Sequence, residues 1–386
     1  MISRQELIGR ATELAPVFAS RALAEETLRA PSDETIRDMI DSGVLQVVTP
    51  KVHGGHEFDL ETMARIIAIF SAACPSTGWV SAFYMGAAWR ALFYPEQGQR
   101  ELFADKPYLL CSAQAAPIAS VRRAPGGYVL TGQAAWSSGS VHAEWVSFTA
   151  VLQEPDEAPQ HRVFILPRDE VTVLDNWRVI GMRGTGSNDV RVDEVFVPEH
   201  RSAAFGDVMT GTTAGQMLHS NPMYHLPLLP FVMTEVVPVC TGALRGAVTA
   251  LRERTLARQG TISGVKAANR QVPQMRLGRA MAAVDAVEAL FAEYMRLLRR
   301  PVEELQDIGV RADMKLRASY IVDLCRNSIN DIVRGIGGDG FRDEAPIQRH
   351  FRDLNMLAVH AFLDIDTASE TAGRLALDLP VDDPLL

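Results

Sequence analysis

The sequence has few cysteines, and none of them forms a CxxC pair. Only four occur in 386 residues, at Cys74, Cys111, Cys240 and Cys325. Such wide spacing fits neither a zinc site nor a disulfide framework. We therefore expect four small buried side chains in a protein of the reducing cytoplasm.

Long hydrophobic runs and a secretory signal are also lacking. The apolar runs at 66–70 and 145–152 are too short to cross a bilayer, so no membrane segment is predicted. The chain begins Met-Ile-Ser-Arg-Gln-Glu, without the apolar core that precedes a signal cleavage site. Both features predict a cytoplasmic location.

Positive charge is in deficit, and no pattern of metal ligands is present. The net charge is −9, with 38 Lys and Arg against 47 Asp and Glu, which argues against nucleic-acid binding as the main function. His53, His56 and His142 have no further ligand at helical spacing, so no metal site is predicted. With 47% hydrophobic and 22% charged residues, the composition is typical of a folded globular protein and excludes a disordered tail or a collagen-like fibre.

The hydrophobic periodicity divides the chain into three zones. Residues 1–105 carry a helical apolar stripe at 60–70, with Asp59 as its predicted N-cap. Residues 106–208 change to short alternating strands between Gly-, Pro- and Asp-rich turns, which indicates a small β-barrel or sandwich. Residues 209–386 return to the helical period, with broad stripes typical of a bundle that also packs on another subunit.

The order of these zones restricts the fold. The alternation of strands and helices that a Rossmann fold or a TIM barrel needs is absent. We predict a mainly α protein of the α+β class. Its three domains are an N-terminal helical domain (1–105), a central β-barrel (106–208) and a C-terminal four-helix bundle (209–386).

Short sequence stretches along nearly the whole chain resemble the acyl-CoA dehydrogenase superfamily. More narrowly, they are similar to the flavin-dependent monooxygenases that share that fold, the oxygenase components of two-component aromatic hydroxylases. The resemblance implies the same three-part fold. The stretches are 50–55, 74–79, 136–139 with 142–145, 177–198, and 349–353 with His360 beyond it.

The resemblance implies a flavin site on two loops. Gly139 would let a flat ring approach the backbone, and the Ser138 hydroxyl would hold a C4a-hydroperoxide beside flavin N5. The glycine-rich loop 181–187 offers N–H and hydroxyl groups to a phosphate or a flavin edge. On the residues alone, both segments also fit ordinary turns. Trp177 would either stack near the flavin ring or fill the interface of barrel and bundle.

A second part of the cofactor site is implied further along the chain. The turn Arg258-Gln259-Gly260 resembles the one that meets the flavin phosphates, and the glycine stretch 335–340 resembles the one that receives the adenosine side from a neighbouring subunit. A solvated surface arginine is an equal alternative for Arg258. The implied cofactor-binding residues are Trp136, Ser138, Gly139, Trp177, Thr185, Gly186, Ser187, Arg258, Gly337 and Gly338.

His360 is the feature that favours an oxygenase over a dehydrogenase. Related dehydrogenases commonly carry a catalytic glutamate followed by Gly-Thr after an Arg-Asp pair, whereas here Arg352-Asp353 is followed by His360. A histidine titrates near neutrality, so it could take a phenol or ring N–H hydrogen bond and activate the ring. A core histidine is the alternative. The implied catalytic residues are His360 and Ser138, and the implied substrate pocket comprises Trp79, Phe83, His142 and His360.

The resemblance therefore implies a monooxygenase that hydroxylates a phenolic, indolic or polycyclic aromatic substrate through a C4a-hydroperoxyflavin. The implied cofactors are O2 and reduced FAD or FMN, with FADH2 favoured. The chain has no nicotinamide fingerprint, so a separate NAD(P)H:flavin reductase would supply the flavin. A homotetramer, built as a dimer of dimers, is expected. The alternatives are an acyl-CoA dehydrogenase and a non-catalytic scaffold that retains the fold.

Overall fold

The computed structural model describes residues 2–155, 157–259, 264–383 and 386. The first part of the chain is helical, as predicted. Asp59 accepts a hydrogen bond from the Thr62 N–H (2.9 Å), which confirms it as the N-cap of the third helix. The helices are α1 (Arg4–Leu28), α2 (Asp33–Ser42), α3 (Leu60–Ala73), α4 (Pro75–Arg90) and α5 (Glu96–Leu102).

The central part forms a seven-stranded sheet in the order β5-β6-β2-β1-β3-β4-β7. The long first strand pairs antiparallel with β2 and parallel with β3, and the other ladders are antiparallel. The strands are β1 (Cys111–Ala124), β2 (Gly127–Ala134), β3 (Trp145–Leu152), β4 (Gln160–Pro167), β5 (Thr172–Leu174), β6 (Asp189–Pro198) and β7 (Ser202–Ala204).

The sheet curls around its own hydrophobic core. Tyr128 on β2 and Phe164 on β4 are not on neighbouring strands, yet their ring centroids are 5.2 Å apart. Among the described residues, the edge strands β5 and β7 are not hydrogen-bonded to each other. The described residues thus form an open, curled sheet where the sequence predicts a β-barrel.

The last part of the chain is helical again. Helix α7 is its centre, and α8, α9 and α10 pack against it. Three of these helices are long and the fourth is short, so the four helices of the predicted bundle differ in length. The helices are α6 (Phe205–Thr210), α7 (Leu228–Ala257), α8 (Gln271–Leu297), α9 (Ile308–Val333), α10 (Pro346–Leu357) and α11 (Ile365–Ala376).

The two helical parts share a single hydrophobic core. Helices α3 and α7 approach so closely that a Cβ on Gly242 would lie 2.4 Å from the Ala68 carbonyl oxygen, and one on Gly246 would lie 2.2 Å from that of Ala72. Glycine is therefore required at both positions of this crossing. The predicted boundaries between the three domains stay a proposal.

Helix α7 is apolar enough, and long enough, to cross a membrane, although the short apolar runs counted in the sequence gave no sign of it. Its most apolar window is 94% buried inside the protein. This burial is typical of the central helix of a folded core.

All four cysteines are buried and free, which confirms the prediction for their side chains.

A buried ion pair fixes the C-terminal tail. The Lys315 ammonium on α9 lies 2.6 Å from the Asp383 carboxylate, and the two side chains are 0% and 4% exposed. Asp383 also accepts a hydrogen bond from the Thr371 hydroxyl. Removal of one partner would leave the other charge buried without compensation.

We expect Lys315→Met to lower the free energy of unfolding by about 3–5 kcal/mol, measured by urea denaturation. The double variant with Asp383→Leu should recover most of this loss, because it removes both buried charges. Arg342→Ala is the control, since its ion pair with Asp339 is 71% and 73% exposed and should contribute less than about 1 kcal/mol. A loss no larger than that of the control would show that this ion pair does not hold the tail.

Candidate functional site

The two glycine-containing loops that the sequence singles out lie side by side. One follows β2 and the other precedes β6, and these strands are neighbours in the sheet. The Gly139 N–H donates to the Thr185 carbonyl (2.9 Å), and the Ser137 N–H donates to that of Asn188 (3.0 Å). The structure therefore joins Ser138 and Gly139 to Thr185, Gly186 and Ser187 in one site.

Gly139 cannot readily be replaced. Its φ is +73°, in the left-handed region that favours glycine, and a Cβ there would lie 2.8 Å from the Tyr84 hydroxyl oxygen. That hydroxyl donates to the Gly139 carbonyl (2.7 Å) and ties the loop to helix α4.

A continuous row of hydrogen-bonding side chains runs through both loops. The Trp79 indole N–H donates to the Ser138 hydroxyl (2.9 Å), which lies 2.9 Å from the Ser187 hydroxyl. The Ser187 hydroxyl lies 2.6 Å from that of Thr185, and Thr185 donates to the Met182 carbonyl (2.9 Å). Ser187 and Thr185 are buried, whereas Ser138 is half-buried and reaches the open side of the loop.

The two tryptophans of the site differ in exposure. Trp136 has a φ of +67° and is 60% exposed, whereas Trp177 is buried behind it at a ring-centroid distance of 5.4 Å. The Trp177 indole N–H donates to the Met182 carbonyl (3.1 Å), and its main-chain N–H donates to the Asn188 side chain (3.0 Å). Trp177 thus fills the interface, and Trp136 is the tryptophan that offers a free ring face.

His360 lies beside this row, in an aromatic group. Its ring centroid is 5.4 Å from that of Trp79, in an edge-on arrangement, and 5.6 Å from that of Phe362. Phe83, one turn after Trp79 on α4, lies 5.0 Å from the Trp79 ring. Three of the four predicted pocket residues are therefore adjacent, and Trp79 connects them to Ser138.

Burial changes what His360 can do. It lowers the pKa of His360 to about 4, so the expectation of a group that titrates near neutrality is wrong for this structure. The Nδ1 atom accepts a hydrogen bond from the Phe362 N–H (3.3 Å). Because the ring is neutral and Nδ1 is an acceptor, the proton lies on Nε2. His360 therefore offers a hydrogen-bond donor rather than a free base.

The remaining predicted residues lie in other surroundings. The His142 Nε2 is paired with Asp33 at the start of α2 (2.9 Å), and its buried Nδ1 has no partner in the described part of the chain.

Arg258 donates to the Gly335 carbonyl (3.3 Å), and a Cβ on Gly337 would lie 2.8 Å from the Arg258 guanidinium. Arg258, Gly337 and the adjoining exposed Gly338 thus form a second group at the end of α7. Gly260 lies outside the described residues.

Asp353 is a functional candidate that the sequence analysis noted only as part of a motif. Its carboxylate accepts a hydrogen bond from the Met182 N–H, although the residue lies on helix α10 of the bundle. Desolvation in this fully buried position raises the pKa of Asp353 to about 7. The Arg352-Asp353 motif drew attention to this residue in the sequence. Its contact with the 181–187 loop was not visible there, because Asp353 and Met182 are 171 residues apart.

Beside Asp353 lies a buried ion-pair network that no sequence signal indicated. Glu26 of α1 pairs with Arg352 (2.7 Å) and Arg349 (3.3 Å) of α10. These charges are more than 320 residues apart in sequence, so only the fold shows that they are paired.

Among the described residues, no group of three or more His, Cys, Asp or Glu could hold a metal ion.

The residues present suit a flat cofactor with a hydrogen-bonding edge. Trp136 is exposed, and Ser138, two residues further along the same loop, is half-buried and carries a hydroxyl. The buried Ser137 hydroxyl in the same loop has no protein partner in the described part of the chain. A ring held here would be flanked by the main chain at Gly139, where the absence of a side chain permits close approach.

Comparison with known proteins shows what the whole chain is similar to. Residues 236–365 match the family described as acyl-CoA dehydrogenase, C-terminal domain. A pigment production hydroxylase of Rhodococcus sp. (strain ATCC 21145) is 58% identical over 385 residues, covering 100% of both chains. The oxygenase component of an FADH(2)-dependent resorcinol hydroxylase from Rhizobium sp. (strain MTP-10005) is 28% identical, covering 97% of this chain and 94% of its own. The crystal structure of the HsaA monooxygenase from M. tuberculosis superposes with a TM-score of 0.91 at 27% identity, covering 100% of both chains.

These similarities extend over the whole chain and not only its bundle. The chain belongs to the flavin-dependent monooxygenases that have the acyl-CoA dehydrogenase fold, the oxygenase components of aromatic hydroxylases. It is accordingly an enzyme of this type.

Asp353 should make the stability of the protein depend on pH. Its pKa in the folded protein, about 7, is raised from an ordinary value of 3.8. The fold therefore disfavours the ionised carboxylate. The contribution of Asp353 to the free energy of unfolding is fully present below about pH 4 and is lost as the pH rises through about 7. We expect Asp353→Asn, which keeps an acceptor for the Met182 N–H, to be more stable relative to wild type at about pH 8 than at about pH 5.

The difference should exceed about 1 kcal/mol, measured by urea denaturation at both pH values. Asp339→Asn is the control, because Asp339 is 73% exposed and its replacement should have the same effect at both. An identical effect of Asp353→Asn at the two pH values would contradict a raised pKa.

Proposed function

We propose that this enzyme hydroxylates an electron-rich aromatic ring with reduced flavin and O2, through a C4a-hydroperoxyflavin. One observation carries the proposal: the Trp79 indole donates to Ser138 and lies edge-on to His360. A hydroxyl suited to the flavin edge and an imidazole suited to the substrate are thus joined by one side chain. FADH2 is the favoured cofactor, in keeping with the FADH(2)-dependent resorcinol hydroxylase among the relatives.

On this proposal, the flavin and O2 supply the OH group, and the protein supplies orientation and exclusion of water. Trp136 and Gly139 flank the ring, and Ser138 hydrogen-bonds its N5 edge. The loop that carries Gly186 is held against Ser140, whose hydroxyl donates to the Gly186 carbonyl (3.0 Å). This bond fixes the position of the loop against the Ser138-Gly139 segment.

His360 has a more specific role than the sequence implied. Because its Nε2 carries the proton, it would donate to the oxygen of a phenol and stabilise the phenolate, in which the ring is richer in electrons. Phe83 and Phe362 are half-buried beside it and Trp79 is buried, so a ring bound among them would lose most of its water. A phenol is the substrate class that this donor favours over an indole, which has no oxygen to accept from it.

The second group suits the phosphate side of the cofactor. Arg258 is exposed, and Arg254 donates to the neighbouring Ile336 carbonyl (2.7 Å), so two guanidinium groups surround the 335–338 turn. Arginine is well suited to phosphate oxygens. His142 remains a proposed pocket residue through its free Nδ1.

The assembly and partners follow from the surface and from what the chain does not contain. Helix α8 exposes Val272 (61%), Met275 (48%) and Met281 (53%), which suits packing between subunits of a homotetramer. The sequence carries no nicotinamide fingerprint, so a separate flavin reductase is the proposed partner. A cytoplasmic location fits the four free, buried cysteines.

An acyl-CoA dehydrogenase is less well supported, because it needs a free carboxylate as a base. Several buried carboxylates among the described residues are already bonded. Asp353 accepts from Met182, and Glu235 pairs with Arg90 (2.8 Å). Glu26 pairs with Arg349 and Arg352. The group that contacts the Trp79 ring is the His360 imidazole.

The function is tested by supplying reduced flavin from an unrelated reductase. With NADH, FAD, O2 and a panel of phenols, the enzyme and reductase together should form a hydroxylated product that carries one atom of labelled O2. The reductase alone is the control, and the enzyme alone should not oxidise NADH. Rapid NADH oxidation by the enzyme alone, or oxidation of acyl-CoA esters with an artificial acceptor and no O2, would contradict the proposal.

His360→Ala should separate ring activation from oxygen activation. Loss of one charge-assisted hydrogen bond, about 1.5–3 kcal/mol, should lower hydroxylation about tenfold to hundredfold while O2 consumption continues and H2O2 appears instead of product. His360→Gln, which retains an N–H donor, should recover part of the rate. In wild type, no group titrating near neutrality should be assignable to His360, because its pKa is about 4. A loss above about a thousandfold, without recovery in His360→Gln, would instead indicate a general base.

A further inference from the structure

The direction of every hydrogen bond in the hydroxyl row can be deduced, starting from its far end. A carbonyl oxygen can only accept, so Thr185 must donate its single hydroxyl proton to Met182. Thr185 then has no proton left for Ser187, which lies 2.6 Å away. Ser187 must therefore donate to Thr185.

The same reasoning fixes Ser138. Ser187 has used its only proton, so at the 2.9 Å contact Ser138 donates to Ser187. On its other side Ser138 accepts from the Trp79 indole N–H, which can only donate. Ser138 is left with one lone pair and no free proton. Any further partner of this half-buried hydroxyl has to be a donor.

This polarity distinguishes the two redox states of a flavin. Reduced flavin carries a hydrogen on N5 and can donate there, whereas N5 of oxidised flavin has only a lone pair. We propose that Thr185 and Ser187, by fixing the Ser138 hydroxyl as an acceptor, make the site select reduced over oxidised flavin. The inference rests on the proposed function, because it requires that the flavin N5 edge lies against Ser138.

The row is well anchored for this role. The Met182 carbonyl also accepts from the Trp177 indole N–H (3.1 Å), and the Met182 N–H is held by Asp353. Both anchoring contacts are buried, so the acceptor at the end of the row cannot turn away. Thr185 and Ser187 are positioning residues, since they act on the flavin through Ser138.

The test is the ratio of dissociation constants for oxidised and reduced FAD, with the reduced form titrated anaerobically. Ser187→Ala frees the Ser138 proton, which can then donate to N5 of oxidised flavin. We expect the ratio of Kd for oxidised flavin to Kd for reduced flavin to fall by about twofold to tenfold, the effect of one hydrogen bond. Thr185→Val, which is isosteric and removes the hydroxyl that accepts from Ser187, should lower the ratio in the same direction because the Ser187 proton is then free to turn towards Ser138.

Two matched variants separate polarity from general damage to the loop. Ser187→Thr keeps the hydroxyl and should keep the wild-type ratio. Ser140→Ala removes a buried hydroxyl bond from the same loop, to Gly186, but lies outside the row, so its ratio should also stay unchanged. If the ratio stays at the wild-type value in both Ser187→Ala and Thr185→Val, the inference is wrong. Failure of wild type to bind reduced flavin would overturn the proposed function itself, which is a different result.

Discussion

The peptide group of Met182 is the fixed point on which the rest of the site depends. Its N–H is held by Asp353 from the helical bundle, and its carbonyl accepts from Trp177 and Thr185 of the sheet domain. Met182 itself has a φ of +53°, which is unusual for a residue with a side chain. These bonds therefore hold a locally strained turn at the contact between the helical bundle and the sheet.

The electrostatics around this turn are costly for the fold. Asp353 is fully buried and one of its oxygens has no partner in the described residues. Glu26, Arg349 and Arg352 lie in the same region and form a buried ion-pair network. Replacement of such groups by apolar side chains often stabilises a protein. Their presence here suits a role in positioning the loop, since departures from good packing are expected at functional sites.

The sequence predicted the parts of this protein that depend on local pattern. Asp59 and the apolar stripe after it were readable because a helix cap and a helical period lie within a few residues of each other. The proximity of Ser138 and Gly139 to the 185–187 segment came from a family resemblance and not from the residues alone. The predicted β-barrel is an open, curled sheet in the described residues, because strand patterns do not reveal whether edge strands pair.

Features that depend on burial or on contacts between distant residues could not be predicted from the sequence. The bond between Trp79 and Ser138 spans 59 residues, and that between Glu26 and Arg352 spans 326. The low pKa of His360 arises from desolvation, which a sequence does not display.

The structure and the proposed chemistry suggest that hydrogen-bond polarity, and not charge, separates this enzyme from a dehydrogenase on the same fold. Proton abstraction needs a free carboxylate, and here Asp353 and Glu235 are bonded to Met182 and Arg90. The aromatic group instead contains His360, whose Nδ1 accepts from the Phe362 N–H and whose Nε2 is the proposed donor. Trp79 of the same group donates to the Ser138 hydroxyl. Both directions are set by partners behind the site: the Phe362 N–H for His360, and the Met182 carbonyl for Ser138.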